Sequence, residues 1–233
     1  MLRRAGRGAH GPSVFRGLFV AGTDTGVGKT VVSAALMHRF RANVSLRYWK
    51  PVQTGIELDD DTASVRSLGR CTEDEVVGEG IRLPGPFSPH LSARLSGRTI
   101  RMDDLVAVAE QQSAPERWIV EGAGGVLVPL NERELMIDLV SRLGVPAVVV
   151  ARTTLGTINH TLLTIQALRS RALGVVGTIL VGAPNAENRA AIETYSCLPV
   201  LGELPILTPL NAASLARAAE ALDGGGRMLE LLR

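Results

Sequence analysis

The stretch GTDTGVGKT, residues 22–30, constrains the fold more than any other part of the chain. It follows the apolar run GLFVA, residues 17–21, and opens a helical pattern over residues 29–41. A glycine-rich turn between a buried strand and a helix is the context of a phosphate-binding loop, where backbone N–H groups bind phosphate oxygens. The strict pattern of such loops has glycine where this chain has Thr23, so the loop is a variant that is one residue longer between its glycines.

The last two residues of the stretch carry the chemistry expected of it. Lys29 would reach the β- and γ-phosphates of a nucleotide, and the Thr30 hydroxyl would bind Mg²⁺. A glycine-rich turn without a ligand is the alternative interpretation.

Apolar runs alternate with helical patterns along the rest of the chain. Strands are predicted over residues 17–21, 45–49, 117–121, 146–151, 175–181 and 199–204. Helices are predicted over residues 29–41, 60–69, 88–96, 102–112, 133–143, 158–171, 186–195 and 211–222. Continuously apolar strands are typical of burial on both faces, and strand–helix alternation predicts right-handed βαβ crossovers. We therefore expect one α/β domain over residues 17–233, with a mostly parallel sheet flanked by helices on both faces.

Composition argues against several classes of protein. No apolar run approaches the roughly 18 residues of a membrane-spanning helix. Two cysteines, Cys71 and Cys197, form neither a disulfide framework nor a metal cluster, so we expect a reducing cytoplasm. Residues 1–16 contain four arginines and no acid, which leaves the other residues with a net charge of −2. We expect these first residues to form a disordered basic extension, and the domain shows no basic, aromatic-rich face for nucleic acid.

The use of basic residues is uneven. Of 25 basic residues, only Lys29 and Lys50 are lysines, and the others are arginines. A compact ammonium and a planar guanidinium are not interchangeable, so these two positions are candidates for chemistry that needs an ammonium.

Other polar residues are predicted at the carboxyl ends of strands, where parallel sheets bind ligands. Glu121 ends the strand WIVE, Lys50 ends LRYWK, and the acidic run DDDTAS, residues 59–64, begins a helix. Glu121 would bind Mg²⁺ or cap the next helix, and Lys50 would act in the site or form a salt bridge. One acid of the run would reach the metal, or all would complement the helix dipole, and spacing alone does not choose among them.

The segment LGTINHTLLT, residues 155–164, follows another strand. Thr154 or Thr157 would cap its helix, leaving free N–H groups that could bind a substrate carboxylate. We interpret His90 and His160 as structural.

Together these motifs resemble the dethiobiotin synthetase family. The matching segments occur in family order from residue 18 to about 207, and they are GTDTGVGKT, KPVQTG, FSPHLSA, VEGAGGVLVPL, LGTINHTLLT, ENRAAIE and LPVLGELP. The resemblance implies a P-loop NTPase-type fold with about seven strands, a homodimer, and a reaction of 7,8-diaminononanoate, CO₂ and MgATP. One amine captures CO₂ as a carbamate, the carbamate oxygen takes the γ-phosphoryl group, and the second amine closes the ureido ring of dethiobiotin.

The resemblance also implies roles for individual residues. Lys29 and Lys50 would be catalytic, and Thr30, Asp61 and Glu121 would bind Mg²⁺. Substrate would contact Thr25, Lys50, Thr54 and Asn159, the last across the dimer interface. The nucleotide would contact Gly26, Val27, Gly28, Lys29, Thr30, Val31, Asp61, Glu121, Gly122, Ala123, Gly124, Val181, Gly182, Pro205, Ile206 and Leu207.

One position departs from the family. Many members have an adenine-reading asparagine where this chain has Val181, which has no hydrogen-bonding side chain. We therefore expect CTP or GTP to be accepted alongside ATP.

Two other classes of P-loop protein fit the sequence less well. Partitioning ATPases related to ParA or MinD carry a signature lysine five residues before the P-loop lysine, where this chain has Asp24. Amidoligases of the cobyrinate type need a glutaminase domain, for which the remaining residues are too few.

Overall fold

The computed structural model describes residues 15–233, so the basic extension expected over residues 1–16 lies almost entirely outside the described residues. Its last two residues contact the domain. The Phe15 ring packs edge-on against Trp118 with centroids 5.5 Å apart, and the Arg16 N–H donates to the Gln112 side chain at 2.7 Å.

The predicted parallel sheet is confirmed. The strands of the described residues are β1 (Gly17–Gly22), β2 (Leu46–Trp49), β3 (Val52–Thr54), β4 (Val76–Val77), β5 (Ile81–Leu83), β6 (Arg117–Gly125), β7 (Ala147–Arg152), β8 (Val175–Val181) and β9 (Val200–Leu204). Seven of them form one sheet in the order β4-β2-β6-β1-β7-β8-β9, and every neighbouring pair is parallel. The short strands β3 and β5 pair separately, also in parallel.

Helices connect these strands. Those of the described residues are α1 (Lys29–Phe40), α2 (Asp61–Gly69), α3 (Pro89–Leu95), α4 (Met102–Ala109), α5 (Met136–Leu143), α6 (Thr157–Ser170), α7 (Ala186–Ser196), α8 (Ala212–Ala219) and α9 (Arg227–Leu232). Within the same residues, no helix combines the length and apolarity needed to cross a membrane.

Alternating residues of the central strands enter two separate cores, which explains why the strands are apolar on both faces. Leu18 and Val20 of β1 pack in the core that contains α1, α8 and α9. Phe19 and Ala21 pack in the opposite core, which contains α4, α5 and part of α6. The prediction of helices on both faces is therefore confirmed.

The sequence prediction missed the shortest elements. Strands β3, β4 and β5 have two or three residues each, and α9 has six, so none shows a usable periodicity. The helix predicted from residue 133 begins at Met136 instead. A turn delays it, because the Asn131 side chain accepts hydrogen bonds from the N–H groups of Arg133 and Glu134.

Candidate functional site

The stretch GTDTGVGKT forms a tight turn between β1 and α1. Gly28 precedes the helix with φ +97°, a conformation that L-residues with a side chain rarely adopt. A Cβ atom at Gly28 would also lie 3.0 Å from the Val181 side chain. Because Gly28 offers no side-chain cap, the first N–H groups of α1 remain available for an anionic ligand.

Lys29 lies against this turn. Its ammonium donates a hydrogen bond to the backbone carbonyl of Asp24 at 2.9 Å, and the residue is 7% exposed. Burial, with a further contribution from the positive charge of Lys50, lowers the pKa of Lys29 from 10.5 to about 8. A phosphate anion in the turn would supply the negative charge that this ammonium lacks.

The loop has a second attachment to the sheet. The Asp24 carboxylate accepts a hydrogen bond from Arg152, at the end of β7, at 2.7 Å, and another from the N–H of Thr25 at 2.7 Å. Asp24, where switch ATPases have their signature lysine, is thus part of an ion pair that joins the loop to β7.

Three oxygen-bearing side chains converge at the start of α1. The Thr30 hydroxyl lies 2.7 Å from Asp61 Oδ1 and 3.0 Å from Glu121 Oε1. Glu121 is fully buried. The structure therefore brings together the three residues that the sequence suggested as metal ligands.

Lys50 joins the same cluster. Its Nζ lies 2.6 Å from Asp61 Oδ2, 2.8 Å from Glu121 Oε1 and 3.1 Å from the carbonyl oxygen of Gly122. Burial acts to lower the pKa of Lys50, but the two carboxylates outweigh it and raise that pKa above its usual value. Burial likewise opposes ionisation of Asp61, but Lys50 lowers the pKa of this carboxyl. The salt-bridge interpretation of Lys50 is thus correct, and Lys50 also lines the site.

The sheet explains why these groups meet. Trp49 of β2 lies opposite Val120 of β6, so the residues that follow each, Lys50 and Glu121, emerge side by side. Glu121 does not cap a helix, because β6 continues through it to Gly125.

The structure also chooses among the acids of residues 59–64. Asp60 caps α2 by accepting a hydrogen bond from the N–H of Ala63 at 3.0 Å, whereas Asp61, the first helical residue, turns towards Thr30. The sequence could not separate these two roles, because both acids lie at one helix start.

Thr30, Asp61 and Glu121 fit Mg²⁺. Hard oxygen atoms are its preferred ligands, and it usually takes one or two carboxylates together with phosphate oxygens and water. Within residues 15–233 no cluster of three or more histidine, cysteine or acidic side chains forms a richer metal site. Two carboxylates and a hydroxyl beside a phosphate loop match such a shared site.

Tyr48 is a member of this cluster that the sequence reading missed. Its hydroxyl donates a hydrogen bond to Glu121 Oε2 at 2.9 Å, and the residue is fully buried. Burial and the Glu121 charge raise the pKa of the Tyr48 phenol well above 10, so it remains a donor. The alternation of side chains along a strand could have identified Tyr48, since Tyr48 and Lys50 lie two residues apart and therefore face the same side of the sheet.

A cavity of about 660 Å³ opens beside the cluster. Among the predicted site residues, its wall includes Thr25, Gly26, Gly28, Lys29, Thr30, Val31, Lys50, Thr54, Asp61, Glu121, Ala123 and Gly124. The wall also contains residues that were not predicted, namely Gln53, Gly55, Leu58, Asp59, Pro86, Phe87, Ser88, Pro89 and Val128. Most of these lie in the segments KPVQTG, DDDTAS, FSPHLSA and VEGAGGVLVPL, but only the folded chain shows which residues of those segments face the cavity.

The remaining predicted residues lie outside that wall. Val27 is buried, and Gly122 contributes its carbonyl to Lys50. Val181 and Gly182 lie at the end of β8, where the N–H of Gly182 donates to the carbonyl of Leu204 at 2.9 Å. Pro205, Ile206 and Leu207 follow β9 directly. Since Val181 adjoins Gly28, these strand ends lie across the phosphate loop from the cavity.

The segment at α6 differs from the sequence prediction. Gly156, and neither Thr154 nor Thr157, precedes the helix as its cap. Thr157 is the first helical residue, and its hydroxyl donates to the Arg152 carbonyl instead. Asn159 is exposed and lies outside the cavity wall of its own chain.

Comparison with known proteins finds relatives over most of the chain. Residues 16–214 match a family model described as an AAA domain. ATP-dependent dethiobiotin synthetases of Paramagnetospirillum magneticum and Brucella ovis are 45% and 44% identical to the chain, over 86% and 85% of its length and 93% and 90% of theirs. The chain belongs to the dethiobiotin synthetase family. It is also 45% identical to the biotin biosynthesis bifunctional protein BioCD of Bordetella avium, of which it spans 42%.

Solved structures of more distant proteins share the fold. A ParA family ATPase from Chlorobium tepidum has a TM-score of 0.54 at 12% identity, covering 93% of this chain and 97% of that one. A chain of the MinC:MinD cell division complex of Aquifex aeolicus has a TM-score of 0.56 at 12% identity, covering 92% and 96%. At this identity the likeness shows the P-loop fold alone.

Proposed function

We propose that this protein is an ATP-dependent dethiobiotin synthetase that converts 7,8-diaminononanoate, CO₂ and MgATP to dethiobiotin, ADP and phosphate in the cytoplasm. One observation carries the proposal: both lysines of the chain lie on one cavity beside the cluster of Thr30, Asp61 and Glu121. Family membership supplies the substrate.

The proposed phosphoryl transfer needs positive charge in the cavity beside Thr30, Asp61 and Glu121. A substrate amine attacks CO₂ and loses a proton to give a carbamate, and the carbamate oxygen then attacks the γ-phosphorus and releases ADP. The second amine attacks the carbonyl carbon of this mixed anhydride, and phosphate leaves as the ring closes. The phosphoryl transfer brings two anions together, so it depends on positioning and charge neutralisation.

Different residues of the chain would position the phosphates and neutralise their charge. The turn from Gly26 to Thr30 holds the phosphates through backbone N–H groups, and Lys29 lies within reach of them. Mg²⁺ held by Thr30, Asp61 and Glu121 would neutralise phosphate charge when bound. Lys50 holds a second positive charge in the cavity wall, where the carbamate oxygen would approach.

The cavity wall formed by Leu58, Phe87 and Val128 suits the hydrocarbon chain of the diaminononanoate. These three side chains offer apolar surface to it, and Thr54 offers a hydroxyl near the amines. We assign the substrate carboxylate to Asn159 and the first N–H groups of α6 in a partner copy, because Asn159 lies outside the cavity of its own chain. The proposed enzyme is therefore a homodimer.

The base of the nucleotide would lie at the ends of β8 and β9, against Val181, Gly182 and the loop that begins at Pro205. Val181 is 8% exposed and offers only methyl groups, so discrimination among bases would be weak. We predict turnover with CTP or GTP as well as ATP, measured as phosphate release with each nucleotide. A strong preference for ATP would contradict this prediction.

The direct test incubates the protein with 7,8-diaminononanoate, bicarbonate and MgATP and detects dethiobiotin by mass spectrometry. We expect product in the complete mixture and none without diamine. A matched variant, Lys50→Arg, keeps the charge but changes its shape, and we expect it to lose turnover. Absence of product at any practical protein concentration would refute the function, whereas normal turnover of Lys50→Arg would refute only the role of the ammonium.

A further inference from the structure

We propose that Tyr48 is a positioning residue that holds the metal-facing carboxylate of Glu121 in its working orientation. This inference rests on the proposed role of Thr30, Asp61 and Glu121 as magnesium ligands.

The two oxygens of Glu121 have different partners. Oε1 lies 3.0 Å from the Thr30 hydroxyl and 2.8 Å from Lys50 Nζ, on the side where a cation would bind. Oε2 points the other way and accepts the hydrogen bond from the Tyr48 hydroxyl at 2.9 Å. The Tyr48 hydroxyl therefore occupies Oε2 with a hydrogen bond and leaves Oε1 to face the cation.

Burial prevents the two oxygens of Glu121 from exchanging these partners easily. Tyr48 and Glu121 are both fully buried, so water does not readily replace the phenol as a donor to Oε2. Turning Oε2 towards the cation would break that bond and leave a buried polar group without a partner, which is costly. The arrangement thus presents a single oxygen, Oε1, to the metal.

The fold gives Tyr48 a rigid base. Its backbone lies opposite Ile119 of β6, two residues before Glu121, and opposite Val76 of β4 on its other side. Its ring belongs to the apolar core on the α1 face, so the hydroxyl is held by packing as well as by the sheet. Partners of this kind, which orient a metal ligand without touching the metal, typically change metal affinity 10–100-fold when removed.

The test is Tyr48→Phe, which keeps the ring and removes the hydroxyl. The other tyrosine of the chain, Tyr195, is 73% exposed on α7, and Tyr195→Phe is the matched control. Binding of Mn²⁺ to the protein in the presence of a non-hydrolysable ATP analogue is measured by electron paramagnetic resonance. We expect Tyr48→Phe to weaken Mn²⁺ binding about 10–100-fold and Tyr195→Phe to leave it unchanged.

A second measurement distinguishes a role of Tyr48 in orienting the metal ligand from a role in keeping the whole nucleotide site folded. Binding of the same analogue with a chelator present does not depend on the metal ligands, so we expect it to be unchanged in Tyr48→Phe. Unchanged Mn²⁺ affinity would overturn the proposal, and so would an equal loss of metal-free nucleotide binding.

A second variant keeps the test available if Tyr48→Phe does not fold. Tyr48→Met also removes the hydroxyl while keeping an apolar side chain in the core and leaving Glu121 intact, and we expect a comparable loss of Mn²⁺ affinity; full affinity would overturn the proposal. Because these readouts do not depend on turnover, a failure to form dethiobiotin would count against the proposed function alone.

Discussion

Lys29 and Lys50 carry the same ammonium group in opposite electrostatic surroundings. Lys50 lies between two carboxylates, which raise its pKa, whereas Lys29 is buried beside a backbone carbonyl and its pKa falls to about 8. Without a ligand, the positive charge of Lys50 is thus already paired with Asp61 and Glu121, whereas Lys29 has no carboxylate in salt-bridge contact within residues 15–233. The difference predicts separate consequences for the two residues.

Nucleotide binding should protonate Lys29. A bound diphosphate favours the charged form and raises its pKa, so the complex takes up a proton between pH 8 and 10.5, where the free protein has lost it. Calorimetry of ADP binding in buffers of different ionisation enthalpy should show uptake of roughly three-quarters of a proton at pH 8.5 and none from Lys29 at pH 6.5. The control, Lys29→Arg, stays charged throughout, and equal uptake in both proteins would contradict the prediction.

The same shift affects stability in the unliganded protein. Because the folded-state pKa of Lys29 lies below 10.5, the unfolded chain binds more protons between pH 8 and 10.5. The contribution of Lys29 to the free energy of unfolding therefore rises with pH through that window.

Removing Lys50 should make stability depend on Mg²⁺. Lys50→Met leaves Asp61 and Glu121 without their shared cation, and breaking a buried ion pair typically costs about 3–5 kcal/mol. Mg²⁺ can supply the missing charge, so the thermal midpoint should recover with Mg²⁺ more in the variant than in the wild type. In the control Arg142→Met, which loses an exposed pair with Asp103, we expect less than about 1 kcal/mol and no response to Mg²⁺. A Lys50→Met midpoint that is insensitive to Mg²⁺ would be incompatible with this account.

Among the elements, α1 shows how an active site depends on the start of a helix. Its first residues are Lys29 and Thr30, and the turn before it must remain open if it binds phosphate as proposed. The helix begins without a side-chain cap, which leaves its first N–H groups to a ligand.

A side chain at Gly28 should disturb this start. Gly28→Ala adds a Cβ at φ +97° and 3.0 Å from Val181, so we expect a loss of about 1–3 kcal/mol in unfolding free energy, measured by denaturant without nucleotide. The matched variant Gly26→Ala has φ +69° but no atom within 4 Å of the new Cβ, so it should lose less. Combining Val181→Ala with Gly28→Ala should restore part of the loss. Equal losses at Gly26 and Gly28 would show that contact with Val181 is unimportant.

In the whole molecule, sheet order sets where the two proposed substrate sites lie. The phosphate loop follows the central strand β1, with β6 and β2 on one side and β7, β8 and β9 on the other. The cavity with Lys50 and Glu121 opens on the first side, and Val181 lies on the second. The proposed diamine and base sites are thus separated by the phosphate loop that serves both.

Dimerisation is tested at the same scale. Leu155, in the loop that leads into α6, is fully exposed, and Leu163 of α6 is 55% exposed. We predict that Leu155→Glu yields monomers by light scattering and raises KM for the diamine more than for ATP, because Asn159 would come from the partner copy. Leu95→Glu, at a leucine that is 65% exposed on α3, is the control and should leave the oligomeric state unchanged. A Leu155→Glu protein with the mass and KM of the wild type would argue against this interface.

The sequence alone determined the parallel α/β fold and the glycine turn between β1 and α1, and it singled out Lys29 and Lys50 as candidate site residues. These depend on local patterns: strand hydrophobicity, a glycine turn before a helix, and polar residues at strand ends. Five of the six longer strands were predicted to within a residue at each end, and β6 runs four residues beyond its predicted end, to Gly125. Strands β3, β4 and β5 were missed because two or three residues show no period.

Only the tertiary structure decided which side chains act together. It selected Asp61 over Asp60, placed Glu121 inside a strand, and brought Tyr48 to the second oxygen of that carboxylate. These residues lie far apart in the chain, and their contacts follow from the register of β2 against β6 and from the start of α2. A sequence pattern reports which face a residue takes, but distances between residues of different elements exist only once the elements are packed.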